Sequence, residues 1–529
     1  MRAMPLNAQN IAVVGAGIGG LSAALELSHL GANVTVIESA TGPGGKMRTL
    51  PTEAGPVDAG PTVFTMGWIF DELFAAVGER FQDHVTLKPL TVLARHHWRN
   101  APTLDLFADP DASRDAIGRF AGQRAVREFD SFSARARRLF DALYIPVMRA
   151  ANPTPFSVAR ASLGNGPSLL RDLAPLKSFG ALLDSSFTDP RLAQLFGRYA
   201  TYVGGSPYLS PAVLALIWHA EASGVARIEG GMASLVRCLE KLCRARGVQF
   251  RYETTVQQIV VRDGKTSGVA LSGGDAIECP TVLFNGDPAA LASGLLGPGP
   301  QKAAPARPRG RRSLSAWVWT FAAEAGHAPL EHHNVVFGDN SQAEFDDLFR
   351  VGRKPQDPTL YVCAQDRSAA AVRGPERFQI IMNAPADGDI CTPTEQEIRQ
   401  CEARVFQRLT EAGLPLNPPV AENALTTPWD FAQLFPGTGG ALYGTNPHSL
   451  MSTFHRPRAR SEVPGLYLAG GGIHPGPGVP MATLSGRLAA AAIRADLAST
   501  SRSRRTAMPG GTSTGSRMTA PAVSRSSGS

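Results

Sequence analysis

One stretch near the amino terminus restricts the possible folds more than any other part of the chain. In NIAVVGAGIGGLSAALELSHLGANVTVIES, a short apolar run at residues 11–14 leads into GAGIGG, and an apolar pattern with helical spacing follows over residues 21–30. A second apolar run at residues 34–37 ends at Glu38. A glycine turn between a strand and a helix, with an acid after the next strand, is typical of a nucleotide-binding βαβ unit.

The glycines of this motif have separate predicted roles. Gly15 permits the tight turn, Gly17 lets the backbone approach a pyrophosphate, and Gly20 lets the helix pack on the strand, with Gly19 between them. The helix amino terminus then offers free N–H groups and a positive dipole end to phosphates. Glu38 is positioned to accept hydrogen bonds from ribose hydroxyls. The motif alone leaves both a nicotinamide cofactor and a flavin open.

A second glycine-rich stretch favours the flavin. TGPGGKMRT follows Glu38 and combines two glycines with a cation, a continuation of FAD-binding domains that nicotinamide domains lack. DAGPTVFTM then places a Gly-Pro turn where the chain would pass near the flavin. The predicted FAD contacts in these stretches are Gly44, Gly45, Lys46, Gly60, Pro61 and Thr62.

The carboxy-terminal part contains a third glycine loop, AGGGIHPGPGVPMATLSG at residues 469–486. A loop of this kind that leads into a helix can direct backbone N–H groups at the flavin pyrimidine ring and stabilise negative charge on it. His474 in this loop has two open interpretations, a turn-stabilising residue or a proton-handling residue beside the flavin. The remaining predicted FAD contacts are Val256, Gly470, Gly471, Gly478, Val479, Pro480 and Met481.

The order of these patterns predicts a discontinuous α/β architecture. Three separated segments form the FAD-binding domain, and a helical region and a sheet domain for the substrate are inserted between them. The expected divisions are a leader at 1–9, FAD-binding segments at 10–90, 225–300 and 441–497, a helical substrate or membrane-facing region at 91–224, a substrate sheet at 301–440 and a disordered basic tail at 498–529.

Charge and composition argue against a nucleic-acid partner. The net charge is +7, but residues 498–529 contribute five arginines and no acids, which leaves 7 − 5 = +2 for the folded body. This Ser/Thr/Gly/Arg-rich tail has almost nothing to bury and is predicted to be disordered. A contact of the tail with an anionic membrane surface stays an alternative. No window is long and apolar enough to indicate a membrane span.

The cysteines and histidines do not indicate a metal site. Six cysteines are scattered without a CxxC pair, which also argues against a disulfide framework. His96-His97 and His332-His333 are adjacent pairs without the i, i+4 spacing of helical metal ligands, so we interpret them as strand or loop residues.

Together these motifs resemble those of the bacterial-type, FAD-dependent carotenoid desaturases of the flavin amine-oxidase-like superfamily. The correspondence runs from about residue 11 to residue 496 and includes the GGM at residues 230–232. Longer strings resemble the branch of 1-hydroxycarotenoid 3,4-desaturases, namely RLAQLFGRYATYVGGSPYLSPAVLALIWHAE, SLSAWVWTF, PQDPTLYVCAQDR and TTPWDFAQLFPGTGGALYG. The fold implied is a Rossmann-like FAD-binding domain with an inserted α+β substrate domain.

The resemblance implies C-3,4 dehydrogenation of an acyclic 1-hydroxycarotenoid such as 1-hydroxyneurosporene or rhodopin, with the hydride passing to the flavin. It also implies a peripheral enzyme on the cytoplasmic side of the inner membrane of a photosynthetic bacterium, with a quinone or oxygen as electron acceptor. Another carotenoid-modifying flavoenzyme, a different flavin oxidase and a non-catalytic carotenoid-binding flavoprotein remain alternatives. Aromatic residues that could line a substrate tunnel are Tyr199, Tyr202, Tyr208, Trp218, Trp317 and Trp319. For each of them alone, an ordinary place in the core is the other open interpretation.

Overall fold

The computed structural model of the chain describes residue 6 and residues 9–164, 167–325, 328–367, 374–416 and 425–506. Most of the predicted leader and residues 507–529 of the predicted tail lie outside the described residues. The strands in chain order are β1 Asn10–Val14, β2 Asn33–Ile37, β3 Thr49–Leu50, β4 Val57–Asp58, β5 Leu87–Pro89, β6 Val92–His97, β7 Leu104–Phe107, β8 Ala226–Ile228, β9 Gln249–Arg251, β10 Val256–Arg262, β11 Lys265–Leu271, β12 Ala276–Glu278, β13 Thr281–Phe284, β14 Ser315–Ala323, β15 His333–Val336, β16 Leu360–Ala364, β17 Glu376–Ala384, β18 Leu425–Thr426 and β19 Leu466–Leu468.

Fourteen α-helices connect these strands in the described part of the chain. They are α1 Ile18–His29, α2 Trp68–Ala76, α3 Pro110–Leu143, α4 Pro155–Gly164, α5 Pro167–Leu173, α6 Phe179–Ser186, α7 Pro190–Gly197, α8 Leu216–Ala222, α9 Met232–Ala245, α10 Pro288–Ala292, α11 Ser341–Asp346, α12 Glu395–Glu411, α13 Pro428–Leu434 and α14 Val479–Thr506.

A five-stranded parallel sheet unites three distant parts of the sequence. Its order is β19-β13-β1-β2-β9, and all four neighbouring pairs are parallel. The central strands are apolar because side chains on both of their faces are buried, as in other parallel sheets covered by helices. Since the strands are parallel, their carboxyl ends share one edge, where ligands bind in open α/β sheets.

The second large sheet has seven strands in the order β18-β14-β17-β16-β15-β6-β7. Its pairs are antiparallel except for β15 and β6, which run parallel. Helix α12 covers one face of the sheet, where Val405 and Leu409 join the apolar side chains of β14, β16 and β17. We call this the outer face, and the opposite face the inner face.

Two boundaries differ from the sequence-based expectation. The region at 91–224, predicted as helical, begins with β6 and β7, which form the edge of the seven-stranded sheet before α3 starts. Helix α14 continues to Thr506, so it enters the segment predicted to be disordered from residue 498. Composition does not show this continuation, because an arginine- and serine-rich stretch can still extend a helix that is already nucleated.

The helical region packs around an aromatic core. Helix α3, which bends at Gly122, contributes Phe129 and Phe132, and these rings contact Phe196 of α7 with centroids 6.0 and 4.8 Å apart. Trp218 of α8 joins the same cluster. In the described residues, no helix is both long enough and apolar enough to cross a membrane.

Candidate functional site

The structure brings the three predicted glycine stretches together at the carboxyl edge of the parallel sheet. The Gly44 N–H donates to the carbonyl of Ala16 at 3.0 Å, and Gly17 and Gly44 form a parallel β-bridge. A Cβ placed on Gly19 would lie 3.1 Å from the nitrogen of Gly470 and 3.0 Å from the carbonyl oxygen of Ala482. The start of α1 therefore lies in close backbone contact with the GGK turn on one side and with the start of α14 on another.

Glu38 directly follows β2, and its side chain contacts the backbone of the first glycine motif. Its Oε2 accepts the Ala16 N–H at 2.7 Å, and its Oε1 accepts the Ala40 N–H at 2.9 Å. The segment after β9 lies alongside, since Thr254 donates its N–H to the Glu38 carbonyl at 3.0 Å. Val256, two residues later, is buried against the strands of this sheet. The predicted ribose-binding acid is thus held in place by the backbone.

Asn285, which the sequence analysis did not select, lies at the centre of this junction. It follows β13 directly, and its Nδ2 donates to the Ala469 carbonyl at 3.0 Å. Cβ atoms placed on Gly17, Gly19, Gly20 or Gly470 would contact its side chain, and its own Oδ1 is buried without a partner in the described part of the chain. The one sequence feature that could have pointed to this residue is its position directly after an apolar strand.

Lys46 is the last residue of the GGK turn and is partly buried. Its Nζ donates to the Leu442 carbonyl at 2.5 Å and lies 5.4 Å from the centre of the Phe435 ring. Burial lowers the pKa of Lys46 to about 8, although the nearby charge of Asp287 opposes the shift. The backbone of Lys46 also packs against the Gly60 turn, where a Cβ would overlap the Lys46 carbonyl.

Two further cations, both with largely buried side chains, lie in the same region. Arg307 pairs with Asp287, and Arg456 donates to the Thr445 carbonyl at 3.0 Å. Burial lowers the pKa of Arg456 to about 10, with a contribution from the charge of Arg307. The Arg307 Nη1 is buried without a partner among the described residues. Three cations with one anion leave excess positive charge, which suits the phosphates or an anionic flavin ring of bound FAD.

The carboxy-terminal loop completes this part of the site. The Gly470 N–H donates to the Ser485 hydroxyl at 3.2 Å, and the Gly471 carbonyl lies 3.4 Å from Arg456 Nη1. Gly478 precedes α14, whose first residues are Val479, Pro480 and Met481. A glycine cradle, buried unpartnered polar atoms and two helix amino termini meet at the carboxyl edge of the sheet, so the residues present fit FAD.

His474 links this loop to the end of the helical region. Its Nε2 lies 3.0 Å from the Ala150 carbonyl, and its backbone N–H donates to the Pro457 carbonyl at 2.9 Å. Burial lowers the pKa of His474 to about 4, so the ring is neutral at pH 7. A neutral imidazole bonded to a carbonyl has an evident anchoring role, and no described contact supports proton transfer by it.

The six predicted tunnel aromatics do not share one wall. Tyr199, Tyr202 and Trp218 cluster in or against the core of the helical region. Tyr208 packs elsewhere, beside Phe345. Trp317 and Trp319 lie on the outer face of the seven-stranded sheet under α12, so the expectation that they line a wall with the tyrosines is not supported.

Tyr199 and Tyr202 surround a buried ion pair. Arg198 Nη2 donates to Glu221 Oε1 at 2.9 Å, and the two tyrosine hydroxyls donate to Glu221 at 2.7 and 2.6 Å. The Arg198 and Glu221 side chains are 8% and 3% exposed. This polar cluster within an apolar region was not visible in the sequence, because its members are spread over two elements.

The adjacent histidines are strand or strand-flanking residues, in agreement with the sequence analysis, but they have an unexpected neighbour. Ligand atoms of His332, His333 and Cys363 all lie within 4.8 Å of one another, and the three residues are buried. The His332 Nε2 is 3.7 Å from the Cys363 sulfur. The His333 Nδ1 is bonded to the Tyr361 hydroxyl at 2.7 Å, so one possible ligand atom of the three is already engaged.

Comparison with known proteins agrees with FAD as the ligand of this site. A family model described as flavin containing amine oxidoreductase matches residues 18–494. The chain is 50% identical over 493 residues to the hydroxyneurosporene desaturase of Cereibacter sphaeroides, a match that covers 93% of this chain and 99% of that protein. It is 48% identical over 520 residues to the hydroxyneurosporene desaturase of Rubrivivax gelatinosus, which covers 98% of this chain and 99% of that protein.

Solved structures share the fold at low sequence identity. Cyclohexylamine oxidase from Brevibacterium oxydans superposes with a TM-score of 0.58 at 16% identity, over 93% of this chain and all of that one (100%). Putrescine oxidase gives a TM-score of 0.57 at 17% identity, over 92% and 99% of the two chains. The predicted flavin amine-oxidase-like fold and the FAD cofactor are therefore confirmed. The chain belongs to the flavin-containing amine oxidoreductase family, and within it to the FAD-dependent carotenoid desaturases.

Proposed function

We propose that this enzyme removes two hydrogens from the C-3–C-4 bond of acyclic 1-hydroxycarotenoids such as 1-hydroxyneurosporene, in spheroidene-type carotenoid synthesis. The observation that carries the proposal is its similarity, over nearly its whole length, to proteins named hydroxyneurosporene desaturase. A third such relative, from Rhodobacter capsulatus, is 46% identical over 488 residues and covers 92% of this chain. More distant relatives at 29–30% identity act on other carotenoids by name.

Bound FAD would supply the hydride acceptor for this dehydrogenation. The chain's own residues would hold and orient the two reactants. The glycine turns at residues 15–20 and 44–45 would admit the pyrophosphate and ribose close to the backbone, and Glu38 would accept hydrogen bonds from the ribose. Lys46, Arg307 and Arg456 would stabilise negative charge on the cofactor. The apolar clusters of the helical region would exclude water from the polyene.

We also propose that the enzyme takes its substrate from a membrane surface. Large exposed apolar side chains occur together in the segment between α3 and α6, where Ile145, Phe156 and Leu176 are 62%, 76% and 100% exposed. Exposed cations, Arg160 and Lys177, belong to the same segment. Apolar side chains beside cations suit the interface of an anionic bilayer. We expect this contact on the cytoplasmic side of the inner membrane of a photosynthetic bacterium, with a quinone or oxygen as final electron acceptor.

A product assay tests the proposed reaction. The FAD-loaded enzyme is incubated with liposomes that contain 1-hydroxyneurosporene and an electron acceptor, either a quinone or oxygen. The expected product has one additional conjugated double bond at C-3,4, seen as a red shift of the polyene absorption and located by mass and NMR spectra. A changed isomer, a new ketone or a product still saturated at C-3,4 would instead assign one of the related carotenoid activities.

A further inference from the structure

We propose that a buried polar subsite on the inner face of the seven-stranded sheet binds the tertiary hydroxyl group of the carotenoid. The subsite consists of Thr62, Tyr361, His333 and Arg198. The inference rests on the proposed function and deepens it, because it names the residues that select a hydroxylated polyene over a hydrocarbon one.

A chain of hydrogen bonds forms the first half of the subsite. The Tyr361 hydroxyl is 2.6 Å from the Thr62 hydroxyl and 2.7 Å from the His333 Nδ1. The other ring nitrogen of His333, Nε2, is buried and has no partner among the described residues. A neutral imidazole bonded through one nitrogen still has a donor or an acceptor at the other. His333 is therefore left with one unused hydrogen-bonding position.

Arg198 forms the second half. Its Nη1 donates to the Tyr202 hydroxyl at 2.6 Å, whereas its Nε is buried without a partner in the described part of the chain. Tyr202, to which Arg198 donates, and Tyr361 pack against the same apolar cluster of the helical region. Burial is the main cause of the lowered pKa values of His333 and His96, and the charge of Arg198 contributes to both shifts. The Nε2 of His96 is likewise buried and unpartnered. Several unsatisfied nitrogens are thus gathered in one buried region.

Such an arrangement is costly unless something binds there. Buried donors and acceptors without partners lose their hydration and gain no hydrogen bond in return, so native proteins rarely retain them without a functional reason. Glu221 already neutralises Arg198 and accepts from both neighbouring tyrosines. A small neutral hydroxyl, which can donate and accept, fits the remaining positions better than an anion does.

The chemistry of the proposed substrate provides such a group. Apart from its hydroxyl, the molecule is a hydrocarbon, and apolar walls alone cannot fix how far it slides along a tunnel. A single carbon separates the hydroxyl-bearing C-1 from the C-3–C-4 bond, so the anchoring site must lie close to the flavin. Thr62 belongs to the Gly60-Pro61-Thr62 turn predicted to contact the flavin, and Gln379 Nε2 ties that turn to the inner face through the Gly60 carbonyl at 3.0 Å.

The test compares binding of 1-hydroxyneurosporene and of neurosporene, which lacks the hydroxyl, to the FAD-loaded enzyme in liposomes. Binding is followed by quenching of protein fluorescence, and kcat/KM is measured for both substrates. We expect the wild-type enzyme to prefer the hydroxylated carotenoid by about tenfold or more, since a site built to bind a hydroxyl strongly rejects the analogue without it. Tyr361→Phe should abolish most of this preference while it changes neurosporene binding little.

Tyr252→Phe is the matched control. It removes a hydroxyl that bonds Glu240 at 2.8 Å, outside the subsite, and should leave the preference unchanged. FAD content and melting temperature of each variant establish that it is folded. Equal binding of both carotenoids by the wild type, or full preference in Tyr361→Phe, would overturn the subsite. Water would then be the partner of these buried atoms. Preferential binding without a 3,4-unsaturated product would overturn the proposed reaction alone.

Discussion

The contact between α1 and α14 yields a sharp prediction for Gly486. A Cβ at this position would overlap the carbonyl oxygen of Gly19 and would lie 2.9 Å from its carbonyl carbon and 3.1 Å from its Cα. Ordinary contacts begin at 3.4 Å, so the Gly19 backbone must recede by at least 3.4 − 2.9 = 0.5 Å, and by more at the oxygen. Gly19 cannot yield alone, because it is also packed against Asn285 and Gly470.

The expected cost of Gly486→Ala follows from this rigidity. Overpacking of a close-packed interior costs about 1–3 kcal/mol, and the amino termini of both helices converge on the FAD site. We expect about 2–3 kcal/mol of this cost to destabilise the conformation that binds FAD. Since about 1.4 kcal/mol corresponds to a tenfold change in the dissociation constant, FAD binding should weaken about 30- to 150-fold. The residue itself lies inside α14, seven positions beyond its first residue (486 − 479 = 7), so direct loss of a cofactor contact does not explain the effect.

The assay is titration of the apoprotein with FAD, followed by quenching of flavin fluorescence, together with thermal unfolding with and without FAD. Gly118→Ala in α3 is the matched control. It makes the same change in a helix, but its Cβ would meet only the side-chain ends of Val126 and Gln123 at 3.3 and 3.4 Å. Both variants gain helix propensity. Wild-type FAD affinity and melting temperature in Gly486→Ala would refute the argument that this helix contact shapes the site.

Three further predictions concern stability, pH and membrane contact. Arg198→Met leaves the buried Glu221 carboxylate unpaired and should lower the free energy of unfolding by about 3–5 kcal/mol in urea denaturation; a loss below about 1 kcal/mol would contradict this. Burial lowers the pKa of His474 from 6.5 to about 4, so the unfolded chain binds the proton first and stability should fall as pH drops from 6.5 toward 4. His474→Gln should reduce the slope of that pH profile of the melting temperature, while the buried His97, His332 and His448, whose pKa values are also lowered to about 4, retain part of it. An unchanged slope would exclude the residue. Phe156→Asp with Leu176→Asp should weaken flotation with anionic liposomes without changing FAD content, whereas unchanged flotation would remove this segment from the membrane contact.

Local sequence was enough to determine the nucleotide-binding part of the fold. The glycine motif at residues 15–20, Glu38 and the loop at residues 469–486 are each recognisable from a short run of residues. Their meeting point also follows from general rules, since parallel strands have their carboxyl ends at one edge. The three predicted FAD stretches do lie together in the structure. Asn285 could not be predicted, because a single asparagine after a strand has no distinctive sequence pattern.

The substrate side depended on the tertiary structure. Every residue of β14 is buried, so the alternation that would distinguish its two faces is missing from the sequence. Trp317 could therefore be a tunnel wall or a core residue as far as the sequence shows, and the structure places it against α12 on the outer face. On the inner face, Thr62 and Tyr361 come from distant parts of the chain and lie within hydrogen-bond distance of each other. Sequence periodicity shows that a residue is buried, but only the packing of sheets and helices decides which buried surface it lines.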